Sequence, residues 1–169
     1  SLKNIQCDHQ AVDARFFVPI LLNFLRSTPE NFLNPQIKIA DKFLADWNYE
    51  ANLECIACGL YRRWMDLLNE EWKTSEAGTY RLLSHLNNSL QNDLLKTLKK
   101  AISDTNFKPW KELHLNHFKH LSTQDGQVTY DKWKFAPEIA TAGDAHSIDP
   151  GTSKWNSERK IYDHYSGSS

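Results

Sequence analysis

Valine is scarce in this chain, with three residues against twenty leucines in 169. Leucine suits helices and valine suits strands, because branching at Cβ restricts χ1 in a helix. The imbalance therefore argues against a sheet-dominated fold. Cysteine is nearly as rare: Cys7, Cys55 and Cys58 are too few, and odd in number, for a disulfide framework. No apolar run approaches the roughly 18 residues that span a bilayer. The longest, Phe16 to Leu22, is shorter and carries Pro19, which argues against a membrane partner. Long runs of one charge are also missing, and the net charge is −1. The electrostatic footprint of a nucleic-acid partner is thus absent. No signal peptide opens the chain, and Ser1-Leu2 without a Met reads as a trimmed or engineered end.

What is present is ordinary for a soluble domain with its own core: 40% hydrophobic and 24% charged residues. The pattern predicts a mainly α fold. About five helices pack as an irregular bundle over residues 1–108, and a Trp/His-rich, extended, loop-rich segment follows over 109–169 as part of the same unit. Helix one is expected from Asp8, as N-cap, to Ser27. Val12, Phe16, Phe17, Ile20, Leu21, Phe24 and Leu25 make a wide apolar face, and Pro19 predicts a kink or restart. So apolar a helix is expected to be buried on more than one side and to be central to something larger than itself. Asn34-Pro35 reads as N-cap and first residue of helix two, which ends near Asp46 to Tyr49.

Helix three is expected from Asn52 to Trp72. Its core face is Ile56, Leu60, Trp64, Leu67 and Leu68. A small-residue stripe at Ala51, Cys55 and Gly59 invites a close neighbour, and Arg62, Arg63 and Asp66 are expected at or near the solvated edge. A loop over Lys73 to Gly78 leads to a short helix, Thr79 to Leu86. Asn87-Asn88-Ser89 interrupts before helix five, Leu90 to Ser103, whose Lys96, Lys99 and Lys100 form a solvated face. Beyond Trp110 the chain is punctuated by Gly and Pro, with one short strand expected at Gln127 to Tyr130.

Three groups of residues could carry chemistry. Cys55-Ile-Ala-Cys58 could bind zinc only if Cys7 and His9 came across to complete four ligands. A redox CxxC wants a strand-to-helix context that the pattern does not provide. The simpler reading is two small residues on a packed helix face. His114, His117 and His120, three apart, would form a slowly turning row on a helix, but no HExxH pattern accompanies them. Hydrogen bonding beside Trp110, Leu113 and Phe118 is the simpler role. Asp144, His146 and Ser147 are nearly adjacent, whereas triads assemble from separated positions, and no GxSxG elbow exists. The chain is therefore assigned no catalytic residue, no metal ligand and no cofactor, and its substrate-binding residues are unknown.

Taken in order, several segments resemble the penicillin acylase (penicillin amidase) family of N-terminal-nucleophile hydrolases. They are the Pro19-containing helix, Phe43 to Tyr49 with its Asp46-Trp47, and the small-residue helix from Cys55 to Trp64. Trp110-Lys-Glu-Leu-His114 with Phe118-Lys-His120-Leu121, and Ala142 to Gly151, complete the set. Departures are the missing Pro before Leu121 and Ser147-Ile148-Asp149 where Thr-Val-Asn is usual. The resemblance implies the later, mostly helical part of a β-chain. The parent enzyme would expose a Ser, Thr or Cys nucleophile by self-cleavage, with its free α-amine as base. It would cleave acyl amides such as β-lactam side chains or acyl-homoserine lactones.

The nucleophile would then lie before Ser1, and Ser1 itself does not resemble a β-chain start. The fragment is expected to be inactive alone, with the remaining α-chain and β-chain core as its partners and a periplasmic or extracytoplasmic parent. Apolar patches around helix one and the C-terminal segment would favour self-association. The alternative is a stand-alone helical interaction module without enzymatic activity. His114 is the residue to test for substrate contact in the whole enzyme.

Overall fold

The computed structural model describes residues 10–86, 88–117, 138–140 and 152–165. Among these the chain is mainly helical, with five helices of more than one turn: α1 Ala14–Ser27, α2 Pro35–Ala45, α3 Ile56–Trp72, α4 Glu76–Ser84 and α5 Asn88–Thr105. A single helical turn, α6 Trp110–Leu113, leads into β1 His114–His117. β2 Glu138–Ala140, β3 Thr152–Asn156 and β4 Ile161–Tyr165 complete a four-stranded sheet in the order β2-β1-β4-β3. β1 runs parallel to β4, and the two edge pairings are antiparallel. The sheet was not anticipated as such, and the strand expected at Gln127 to Tyr130 lies outside the described residues.

Local signals set the helix starts. Asn34 caps α2, its Oδ1 accepting from Ile37 N at 2.8 Å, with Pro35 in the first turn. Ser75 Oγ caps α4 by accepting from Gly78 N at 3.4 Å, so this helix begins three residues before the expected Thr79. α3 begins at Ile56 with Cys55 as its N-cap, four residues after the expected start at Asn52. α1 begins at Ala14 rather than Asp8, which lies outside the described residues, and Pro19 sits within one continuous helix instead of restarting it. α5 takes in Asn88 and Ser89 and extends to Thr105. Asn106 and Phe107 then both adopt positive φ, 48° and 55°, turning the chain back toward α6.

Among the described residues the central helix is α3. Its residues Ala57, Cys58, Leu60, Tyr61, Arg63, Trp64, Met65, Leu67 and Leu68 are all buried, which leaves almost no free face over its first three turns. α5 packs along one side, where Trp64 Nε1 donates to Thr97 Oγ1 at 3.0 Å and to Leu94 O at 3.2 Å. α1 buries Val18, Leu21, Leu22, Phe24 and Leu25 but leaves Phe16 68% exposed, with Val12 just before the helix 54% exposed. Asp13 fastens its start: one carboxylate oxygen accepts from Tyr61 Oη at 2.7 Å and from Tyr80 Oη at 2.9 Å. Phe17 stacks on the Tyr80 ring at 4.3 Å.

The expected close approach at Gly59 is real, and its partner is α6. A Cβ on Gly59 would collide with Leu113 Cδ1 and lie 3.5 Å from Trp110 Cε3. Ala51 and Cys55, the other members of the small-residue stripe, precede the helix. Trp110 N donates to Cys55 O at 2.9 Å, and Lys111 N donates to Leu53 O at 2.9 Å. The N-terminal amides of α6 thus satisfy carbonyls just ahead of α3.

Gly59→Ala gains about 1 kcal/mol in helix propensity but overpacks a closed contact, at a cost of about 1–3 kcal/mol. Net destabilisation of up to about 2 kcal/mol is expected in urea denaturation. A midpoint raised by the substitution would show that α6 does not press on this position.

Candidate functional site

The polar residues of α3 are where the structure departs most from expectation. Arg63 does not lie at or near the solvated edge: it is 2% exposed, while Arg62 and Asp66 are half-buried. Arg63 lies three residues after Leu60 and four before Leu67, on the inward side of the helix. A buried guanidinium must be paired. Its Nε donates to Asp104 Oδ2 of α5 at 2.8 Å, and a terminal nitrogen lies 3.3 Å from Glu70 Oε1. Its carbon sits 4.6 Å from the centre of the Trp155 ring on β3, a cation–π contact. Arg62 is shared between Asp66, at 3.5 Å, and Glu76 of α4, at 3.3 Å.

Above these groups the sheet presents a row of aromatic side chains. His114 pairs in register with Tyr162, and Tyr162 with Trp155. The His114 ring stacks on Trp110 at 4.5 Å and 17°. Trp110 meets Tyr162 at 5.6 Å, and Tyr162 meets Trp155 edge-on at 5.0 Å. Tyr162 Oη donates to Asp66 Oδ2 at 2.6 Å, linking the sheet to α3. Burial raises the Asp66 carboxyl above its ordinary value, although Arg62 and the Tyr162 hydroxyl oppose the shift. Burial, reinforced by the Asp66 charge, pushes the Tyr162 hydroxyl well above its usual value. Tyr162 is therefore a donor and not an acid at physiological pH.

The β3–β4 turn secures the far end. Asn156 Oδ1 accepts from Glu158 N and Arg159 N, each at 3.1 Å, and Lys160 closes the turn at φ 54°. Asp163 accepts from Asn156 Nδ2 at 2.9 Å and from Arg159 at 3.3 Å. Trp155, Arg63, Asp104 and Tyr162 were not anticipated as parts of one cluster. A signal existed in the alternating Trp155-Asn156 and Ile161 to Tyr165 segments around a short polar turn.

The sequence candidates are scattered. His114 and His117 belong to β1, so the slowly turning helical row does not form; a strand repeats every second residue. His114 is 1% exposed, beneath Trp110. His120, Cys7, His9, Ser1 and the group Asp144, His146 and Ser147 lie outside the described residues. Cys55 is the N-cap of α3, half-buried, and Cys58 is buried in the first turn. No group of three or more His, Cys, Asp or Glu among the described residues could hold a metal ion. Lys96, Lys99 and Lys100 are exposed, with Lys96 paired to Glu71 at 2.7 Å. No helix among the described residues is long and apolar enough to cross a membrane.

The arrangement is one of mutual satisfaction: each cation faces a carboxylate, and the aromatic rings face each other. It serves as a clasp between a helical bundle and a sheet. The penicillin amidase family model matches residues 1–169, the whole of the chain, and the chain belongs to that family of acylase-type hydrolases. No curated protein matches it.

Two variants test the clasp. Tyr162→Phe removes a hydrogen bond to a buried carboxylate and is expected to lose about 1.5–3 kcal/mol. A loss under about 0.5 kcal/mol in chemical denaturation would show that this bond does not hold the sheet. The second variant concerns pH. A carboxyl raised on folding binds its proton more tightly in the folded state. Its contribution to stability is full below the ordinary carboxylate value and is lost as pH rises through the raised value. The stability of the wild type relative to Asp66→Asn is therefore expected to fall from acid toward neutral pH. A difference that stays flat across that range would mean Asp66 is not desolvated.

Proposed function

We propose that this chain is the later, mainly helical part of the β-chain of a penicillin-amidase-type N-terminal-nucleophile hydrolase, and that it carries no nucleophile of its own. The parent cleaves an acyl amide, of the class of β-lactam side chains or acyl-homoserine lactones. Residues 1–108 and 109–169 act within it as one structural unit, and the parent is extracytoplasmic. The remaining α-chain and β-chain core supply the nucleophile, the α-amine base and the oxyanion donors.

One observation carries this reading. The family match runs the whole length of the chain, yet the matching Trp110, Leu113 and His114 are built into a buried clasp. These residues position elements and do not face an open cleft. The exposed Phe16 on the outside of α1, with exposed Val12 just before it, supports a larger assembly that covers them.

The test is hydrolysis of a chromogenic phenylacetyl amide. The 169-residue chain is expected to give no turnover above buffer. Turnover that disappears in Ser1→Ala would place the nucleophile at the first residue and overturn the reading.

A further inference from the structure

Neither the clasp nor the hydrolase reading uses Cys55 and Cys58, yet their placement is specific. Cys55 is the N-cap of α3, with extended backbone at φ −72° and ψ 120°. Its Sγ accepts from Cys58 N at 3.2 Å. The chain reaches it through a tight turn in which Asn52 O accepts from Cys55 N and Asn52 Oδ1 accepts from Glu54 N, each at 3.1 Å. Cys58 lies in the first helical turn, 1% exposed, while Cys55 is half-buried and reachable from solvent.

The Cys55 sulfur is therefore already turned back over the first turn, against the backbone amide of Cys58. Disulfide partners need Cβ atoms about 3.5–4.5 Å apart, and a cap side chain folded back onto the residue three ahead approaches that arrangement. The start of the turn is held in place, with Cys55 O accepting from Trp110 N at 2.9 Å.

We propose that Cys55 and Cys58 form a disulfide across the first turn of α3, by exchange with a low-mass disulfide such as oxidised glutathione. The Cys55 thiolate attacks one glutathione sulfur and releases a glutathione thiolate. The Cys58 thiolate then attacks the Cys55 sulfur of the mixed disulfide and releases the second. The protein dithiol is oxidised by two electrons, the glutathione disulfide is reduced, and the two cysteine protons end on the released thiols. Burial raises the Cys55 thiol above its ordinary value, outweighing the helix-start amides of Cys58 and Ala57 that lower it. Exchange is therefore slow at neutral pH and faster as pH rises. This inference stands on the geometry of the turn and is independent of the hydrolase reading.

The test uses the folded chain, incubated with oxidised glutathione, quenched in acid, alkylated under denaturing conditions and digested with trypsin. Cys55 and Cys58 share the peptide from Phe43 to Arg62, and Cys7 lies on another. The shared peptide is expected unalkylated and lighter by two hydrogens than its reduced form. The same product is expected in Cys7→Ser and is lost in Cys55→Ser. A shared peptide carrying two alkyl groups, a persistent glutathione adduct on Cys55, or a crosslink to Cys7 would each overturn the proposal.

Discussion

A guanidinium with almost no solvent contact sits near the middle of α3, and the placement of its neighbours follows from it. Isolated in a low-dielectric interior, such a charge is costly. Here Asp104 approaches from α5 and Glu70 from the same helix, while the face of Trp155 covers the cation from the sheet. Two parts of the chain far from α3 in sequence thus converge on Arg63. Removing one member of a buried pair typically costs about 3–5 kcal/mol, because the other charge is left uncompensated. The helical bundle and the sheet are tied together by the need to satisfy one side chain.

Around that point the packing is close enough to be specific. Gly59 admits α6 directly onto α3, which sets the depth of Trp110 and hence the plane on which His114 stacks. Parallel pairing of β1 with β4 then sets Tyr162 beside His114, and the β3–β4 turn sets Trp155 beside Tyr162. Each aromatic contact fixes the position of the next. The Tyr162 hydroxyl returns the chain of contacts to α3 at Asp66, one helical turn from Arg62 and Arg63.

Much of the helical part was legible because its signals are local. Asn34-Pro35 starts α2 by cap chemistry, and the Leu spacing of α5 marks its buried side. The close approach at Gly59 was also readable, since glycine within a helix otherwise lowers stability. Its partner was not, because Leu113 lies more than fifty residues away and only tertiary structure brings it there. Arg63 was misplaced for a similar reason. A charged residue on the inward side of a helix is read as solvated unless its distant counter-charge, Asp104, is known. The sheet escaped notice because its described strands are of three to five residues, too short for alternation to stand out. The histidine row failed with it, since helical spacing has no meaning on a strand.

The closed character of this cluster bears on what the chain can do. A catalytic group must be able to offer its proton, lone pair or charge to a substrate. Arg63 already directs its charge at Asp104, Arg62 and Tyr162 direct theirs at Asp66, and His114 lies flat beneath an indole. Freeing any of them would break a buried ion pair or hydrogen bond and loosen the sheet from α3. Reactivity at this place would therefore work against the fold that positions it. In a chain of the penicillin amidase family, this cluster gives rigidity: it holds the sheet and one face of α3 in fixed relation through Tyr162 and Asp66.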